Sequence, residues 1–298
     1  MHVVVWFVLT AIFLIAQPLK AADPASDTGA VESRPVTLKW LGNTGWEIQL
    51  GQTKILIDPF LTRKEAVAGK EWKTDEDAVL KVVAGADYIF AGHSHVDHIG
   101  DVPFIAKRFG SKVIGSRTTT NIALTAGVDK EKLTTISGGE KVAFHGFTVA
   151  VIKSLHGELT RGSRRRQPKS EEILQPGSGP ILGNQFVEGG SYLYYFTFGK
   201  HRVLHQSTGN IIEENLKGLQ PDLALLAATG NYDFADAVKI LHPKTVVIHH
   251  FDEWRAPFSS GIPAANRKRA QRVEQQIKSV DRKINVIIPD FLQTITLE

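Results

Sequence analysis

Residues 93 to 98 read His-Ser-His-Val-Asp-His, an H-x-H-x-D-H cluster that sets three imidazoles and one carboxylate within six positions. Zinc takes nitrogen and oxygen ligands at roughly 2.0 to 2.2 Å, and a catalytic site keeps one position open for water. The hexapeptide supplies such ligands without folding far. With 11 His in 298 residues a single histidine says little, whereas three in six positions around an Asp point to a metal. If residues 93 to 95 are extended, His93 and His95 face the same way, because strand side chains alternate. They then grip one ion together, while Asp97 and His98, on the bend that follows, face a second ion or orient its water. Asp97 is the candidate catalytic carboxylate.

The flanking residues predict how the motif is held. DYIFA (87 to 91) reads as a buried strand, and residues 99 to 109 carry apolar positions at helical spacing. The motif therefore falls on a strand-to-helix turn, where open α/β sheets hold ligands. Elsewhere β-rich runs alternate with helical ones. KVIGS (112 to 116) is followed by a helix over about 118 to 126 that Gly127 closes. TTIS, KVAFHGFTVAVIKSL and SYLYYFTFGKHRVLHQ read as strands and hairpins turning at Gly146 and Gly199. DLALLA, a helix over about 233 to 241, TVVIHH and a polar helix over about 263 to 279 follow, and VIIPDFLQTITL closes as a strand pair or a single strand. This α/β order fits two mixed sheets with helices on their outer faces. Periodicity alone does not separate that sandwich from a doubly wound sheet.

On these residues the sequence resembles the metallo-β-lactamase superfamily of metal-dependent hydrolases, whose signature is H-x-H-x-D-H on a loop of a four-layer αββα sandwich. VTLKWLGNTGWEIQLGQTKILIDPFL (36 to 61) looks like the opening strands, with Asp58 in the family's Asp position. KSLHG offers His156, similar to the third histidine of the first metal. PKTVVIHHFDEW resembles the strand that delivers the last histidine, best matched by His250 with His249 as competitor, since alternation lets only one face the metal side. The resemblance implies one ion on His93, His95 and His156 and a second on Asp97, His98 and His250. It covers about residues 36 to 297, and WLGNTGW and ILIDPFL look most like the ascorbate-6-phosphate-lactonase-like branch.

One departure matters. The family commonly carries a bridging Asp after a hydrophobic strand, and HRVLHQSTGN puts Ser207 there. A hydroxyl is a far weaker ligand, so either the second ion is held weakly or the enzyme works with one. Asp233 is a replacement oxygen donor, although an Asp before an apolar helix is usually a cap. His205 suits a place behind the ligands, holding a ligand's free nitrogen or a water.

The apolar share of 42% and charged share of 22% are ordinary for a globular protein, and one catalytic domain over 36 to 298 is the simplest division. Before it, the apolar run from Val3 to Ala16, then Pro18 and small residues at Ala21 and Ala22, reads as a signal peptide over 1 to 22. The run falls short of the about 20 residues a spanning helix needs, so the mature chain is expected to be periplasmic or secreted, with no stable membrane span. Residues 23 to 35 are small and polar, a flexible lead.

The chain has no cysteine, which excludes thiolate ligands, a cysteine nucleophile and a lipid-modified N-terminal cysteine. His and carboxylate ligands favour Zn2+, with Mn2+ or Fe2+ as alternatives. The segment 157 to 187, directly after His156, has the look of a substrate lid. Its Arg161, Arg164, Arg165 and Arg166 suit a small anionic substrate, or are simply a solvated charge run. A net charge of +4 without an aromatic-interleaved basic surface does not suggest nucleic acid. His145, His201 and His242 sit in turns and read as solvent-facing or structural. Nothing in the sequence sets the oligomeric state.

The expected chemistry is metal-assisted hydrolysis. An ion on His93, His95 and His156 brings the pKa of a bound water from about 15.7 toward ~7, and Asp97 orients that water and takes its proton. The bond attacked is an ester, lactone or phosphoester. The alternatives are a periplasmic β-lactamase-like hydrolase and a non-catalytic metal-binding protein with a degenerate second site.

Overall fold

Strand alternation sets the architecture. In β1 (Val36–Trp40) the alternate residues Val36, Leu38 and Trp40 are buried while Thr37 and Lys39 are half-buried, so one face of the strand seeks a core. The computed structural model describes residues 35 to 157, 159 to 161, 164 to 166, 176 to 177, 179 to 229 and 232 to 297. The expected signal peptide (1 to 22), residues 23 to 34 of the lead, and positions 158, 162 to 163, 167 to 175 and 178 of the 157 to 187 insertion lie outside the described residues.

After β1 the chain runs through β2 (Trp46–Leu50), β3 (Thr53–Ile57), α1 (Glu76–Leu80), β4 (Tyr88–Phe90), α2 (Val96–Ile99), α3 (Val102–Phe109), β5 (Lys112–Gly115), α4 (Arg117–Thr125), β6 (Leu133–Thr135) and the hairpin β7 (Lys141–Phe144) and β8 (Phe147–Ser154). The ribbon β9 (Leu159–Arg161) and β10 (Arg164–Arg166) follows, then β11 (Ser191–Phe198), β12 (His201–Gln206), β13 (Leu223–Ala227), α5 (Phe234–Leu241), β14 (Thr245–His249), α6 (Ala264–Val280), β15 (Asn285–Ile287) and β16 (Thr294–Leu297). Among the described residues the strands form two seven-stranded sheets, ordered β16-β1-β2-β3-β4-β5-β6 and β15-β14-β13-β12-β11-β8-β7, beside the β9-β10 ribbon. Each sheet is mixed, with β3 to β6 parallel in one and β12 to β15 parallel in the other.

The sheets face each other across Leu38, Trp46, Ile48, Ile55 and Phe90 on one side and Val149, Val151, Tyr194, Phe196 and Leu204 on the other. Outside the first sheet, Leu56, Ile89 and Val113 meet Val79, Ile105 and Ile122 of α1, α3 and α4. Strand β13 is buried at every position, because α5 and α6 cover the far face of the second sheet. This is the expected αββα sandwich.

Three local expectations are corrected. The helix expected over 99 to 109 begins only at Val102, as α3, behind the short α2 of 96 to 99, because Pro103 has no N–H to give to the Ile99 carbonyl. The closing strands are not a pair: β15 joins β14 in the second sheet and β16 crosses to β1 in the first. The insertion after His156 begins with a paired ribbon, Arg164 opposite Arg161, rather than an irregular loop.

A buried ion pair ties the loops at one end of the sandwich. Arg63 Nη2 donates to Asp252 Oδ2 at 2.7 Å with the two side chains 2% and 0% exposed, and its guanidinium packs 4.9 and 5.0 Å from the ring centroids of Phe258 and Phe291, which themselves lie 4.6 Å apart. Gly42 makes room for it: φ is +81°, and a Cβ there would stand 2.4 Å from Arg63 Nη1. Removing one partner of such a pair strands a buried charge. Arg63→Met is expected to cost about 3 to 5 kcal/mol, read from urea unfolding midpoints, and a loss below about 1 kcal/mol would contradict the role assigned to the pair.

Candidate metal centre

Every candidate ligand stands just beyond the carboxyl end of a strand. The 93 to 98 motif follows β4, His156 follows β8, and His250 follows β14. Asp58 follows β3 and Ser207 follows β12. The parallel portions of both sheets open at the same end, which gathers these loops in one place.

The side chains fall into two groups, His93 with His95 and His156, and Asp97 with His98 and His250. In each group one donor atom per residue lies within 4.8 Å of the others. The motif itself is a bend at Gly92 and His93 that becomes helical at Val96, with His95 extended at the helix N-terminus. The two imidazoles meet through this bend rather than through strand alternation, with ring centroids 4.9 Å apart.

Hydrogen bonds on the outer nitrogens leave the inner ones free. His156 Nδ1 donates to the Gly157 carbonyl at 2.7 Å, His250 Nδ1 is 2.6 Å from Thr229 Oγ1, and His98 Nδ1 donates to Asp58 Oδ2 at 2.9 Å. Asp97 Oδ2 is 3.5 Å from His98 Nε2 and 3.9 Å from His250 Nε2. Donors around a tetrahedral zinc with bonds of ~2.1 Å lie about 3.4 Å apart, so these spacings suit a dication. His93 gives the most direct sign: both of its ring nitrogens are buried without a hydrogen-bond partner. A buried imidazole left unsatisfied is costly, and an ion bound at one of the two nitrogens would remove half of the deficit. The residues present fit a metal.

Asp58 supports the second group from behind. It accepts from Gly92 N–H at 2.7 Å, Thr44 Oγ1 at 3.1 Å, Ser207 Oγ at 2.5 Å and His98 Nδ1. Ser207, in the position where a bridging carboxylate was expected, belongs to neither donor group. Its hydroxyl is turned to Asp58 and occupies the space that a Cβ on Gly92 would take, 1.6 Å away. His205 stands behind Ser207, its Nδ1 3.5 Å from Ser207 Oγ, while its Nε2 donates to the Thr44 carbonyl at 2.9 Å and so holds the turn. His249 is committed elsewhere. Its Nδ1 accepts from Trp46 Nε1 at 2.9 Å and its Nε2 donates to the Gln206 carbonyl at 2.8 Å, which joins the two sheets. Asp233 caps α5 through Ala235 and Asp236 N–H groups. Arg161 and Arg164 are register partners on the β9-β10 ribbon.

Sequence reasoning passed over Asn43, Thr44 and Thr229 as polar contacts of the site. The Asn-Thr-Gly turn between two apolar strands was the signal for the first two. Thr229 stands after a buried strand and carried no such mark.

A sequence profile described as a β-lactamase superfamily domain matches residues 37 to 250. The chain belongs to this superfamily. Among its relatives, a metal-dependent hydrolase of Agrobacterium fabrum is 27% identical over 208 residues, 68% of this chain and 77% of that protein. Another from Rhizobium etli is 29% identical over 147 residues, 49% of this chain, and the chain spans about half that relative's length, 54%. Among solved structures, a metallo hydrolase from the archaeon Ignicoccus hospitalis superposes with a TM-score of 0.60 over 89% of this chain and 99% of its own, at 21% identity. At that identity the likeness shows the fold, which is that of the metallo-β-lactamase superfamily.

Within this superfamily domain, burial sets the charge states. It holds His93 far below the ordinary imidazole value, helped by the surrounding His98, His156, His95 and His250. Burial likewise brings His95 down to about 3 and His250 to about 4, and lowers His156. His98 goes the other way: burial opposes its proton, but the Asp97 and Asp58 carboxylates outweigh burial and raise it. Burial also works against the Asp97 charge, yet His98, His250 and His95 hold that carboxyl below its usual range. Neutral imidazoles and an ionised carboxylate are the forms that bind a metal.

The sign of the pH effect follows. An imidazole held neutral in the folded state contributes full stability above its unfolded value near ~6.5 and loses it as pH falls from there toward the folded value. For His95 and His250 the window runs from ~6.5 down to about 3 and about 4. Each contributes roughly 1 kcal/mol per pH unit across it. Burial holds His93 and His249 well below the ordinary value too, so they act in the same direction, while His98, raised, and Asp101, raised by burial to about 6, act against them. Chelator-treated protein should therefore lose on the order of 1 kcal/mol or more between pH 6.5 and 5.5 in urea unfolding. A midpoint that is flat or rises on acidification would refute the neutral-imidazole assignment.

Proposed function

We propose that the protein is an exported metal-dependent hydrolase that opens an ester, lactone or phosphoester bond in a small-molecule substrate. The observation that carries this reading is the buried His93 ring with both nitrogens unpartnered at the centre of two converging donor groups. The metal-dependent hydrolases among the relatives support the same class. Zn2+ is the proposed ion, held by His93, His95 and His156, with a second on Asp97, His98 and His250. Such an ion, when bound, supplies Lewis acidity and lowers the pKa of a coordinated water.

The chain's own groups do the rest. Asp97, ionised at neutral pH, accepts a hydrogen bond from the attacking water and receives its proton. Asp58 keeps the His98 ring in one orientation by accepting from Nδ1, so that Nε2 faces inward. Thr229 does the same for His250 and the Gly157 carbonyl for His156. Arg161 and Arg164, on the ribbon directly after His156, are assigned to an anionic group of the substrate, since guanidinium pairs with carboxylate and phosphate in two-pronged fashion. Lactones lead the substrate classes because the WLGNTGW and ILIDPFL segments resemble the lactonase-like branch.

The decisive assay loads the protein with Zn2+ or Mn2+ and offers lactones, bis-p-nitrophenyl phosphate and nitrocefin. Turnover is expected on the first or second, with His95→Ala at least about a hundredfold lower. No turnover of any of them by protein that binds the ion would favour a metal-binding protein without catalysis, and full activity in His95→Ala would sink the mechanism. Export has its own check: N-terminal sequencing of a periplasmic fraction should find the mature chain starting near Ala22 or Asp23, and an intact Met1 there would contradict cleavage.

A further inference from the structure

Asp97 is the one carboxylate in the two donor groups, and two rotatable bonds would let it swing away from His98 and His250. Asn43 restrains it. Its Nδ2 donates to Asp97 Oδ2 at 3.2 Å, the same oxygen that faces His98 Nε2 and His250 Nε2, and to the Asp97 carbonyl at 2.7 Å. The main chain of Asn43 is held on the other side. Its carbonyl accepts from His250 N–H at 2.9 Å and Trp40 Nε1 at 3.0 Å, and its N–H donates to Asp252 Oδ1 at 2.9 Å. Asp252 is fixed in turn by the buried Arg63.

We infer that Asn43 is a positioning residue for the second ion, its amide aiming the Asp97 carboxylate and its carbonyl placing the His250 backbone. The inference rests on the two-ion reading above. A neutral amide suits the task because it orients a carboxylate without discharging it. A Lys at this position would pair with Asp97 and compete with the cation, and an Asp would set a second carboxylate against the first. The left-handed backbone, φ +50°, fits the same choice, since Asn enters that region more readily than most residues. The main-chain contacts at 1% exposure leave the side chain little freedom.

Asn43→Gly tests this, because glycine adopts the same φ without strain and only the amide is lost. Zn2+ is titrated into the full-length, chelator-treated protein in competition with a chromophoric chelator, for wild type, Asn43→Gly and His98→Ala. Wild type should bind two ions. Asn43→Gly should weaken the ion that His98→Ala removes by about 10- to 100-fold and leave the other unchanged. Unchanged affinities, or an equal loss at both ions, would overturn the positioning role. Wild type that binds no Zn2+ would overturn the metal reading itself and this inference with it. Should Asn43→Gly fail to fold, the wild-type side-chain amide of Asn43 still answers by 15N NMR. Its resonance should shift as the ion displaced in His98→Ala binds, and an unmoved signal would overturn the proposal.

Discussion

A single buried carboxylate organises the site. Asp58, wholly enclosed between the sheets, accepts hydrogen bonds from the β4 loop through Gly92, from the β1-β2 turn through Thr44, from the second sheet through Ser207, and from the motif through His98. Burial of a carboxylate is affordable only when its lone pairs are filled and a positive partner stands near. Here the donors come from three separate segments, one of them through both ends of the metal motif, so the satisfaction of one charge requires that all three be where they are. Burial opposes the charge, yet His98 leads the interactions that keep Asp58 below the usual carboxylate range. The same contacts choose the His98 tautomer.

This dependence explains why the polar contacts between sheets cluster at one end. Trp46 reaches His249, His205 reaches Thr44, and Tyr194 reaches the Ala91 carbonyl at 2.7 Å, each from one sheet to the other. Away from this end the interface is aromatic and aliphatic, as the Phe90, Tyr194 and Phe196 cluster shows. Apolar packing fixes the distance between the sheets but is non-directional. The hydrogen bonds fix their register where loops from both must meet within a few ångströms.

Much of this was legible in the residues. The H-x-H-x-D-H spacing named four site side chains, and alternation in TVVIHH allowed one histidine to face the site and the next to face the core. The strand ends at His249, and His250 turns out of it with a left-handed φ of +56°. What the sequence concealed were contacts between residues far apart in the chain. Asn43 meets Asp97 and Asp252, Arg63 meets Asp252, and Ser207 meets Asp58. No local pattern encodes these pairs, because each depends on sheet order, and β16 crossing back to β1 shows that order departing from the chain's sequence of elements. The late start of the helix after the motif was a local error of a different kind, since Pro103 was visible and its missing N–H sufficient to set the boundary.

Ser207 shows how one exchange of side chain redirects a position. A carboxylate there would need cations or donors on its lone pairs, and with Asp58 beside it two like charges would share one buried volume unless bound cations stood between them. A serine hydroxyl donates instead, so it stabilises Asp58 and withdraws from the donor groups. In the proposed binuclear state, two dications would then face only the Asp97 charge among the six donor side chains. The site would be more cationic by one unit than with a bridging carboxylate, and positive charge in a water-poor cleft stabilises anionic groups and developing oxyanions more strongly than it does in water. The same surplus weakens the hold on the second ion, because repulsion between the ions is less compensated. In that state substrate preference and metal affinity would be set against each other at position 207, and the orientation of Asp97 would matter more than in a site with two carboxylates.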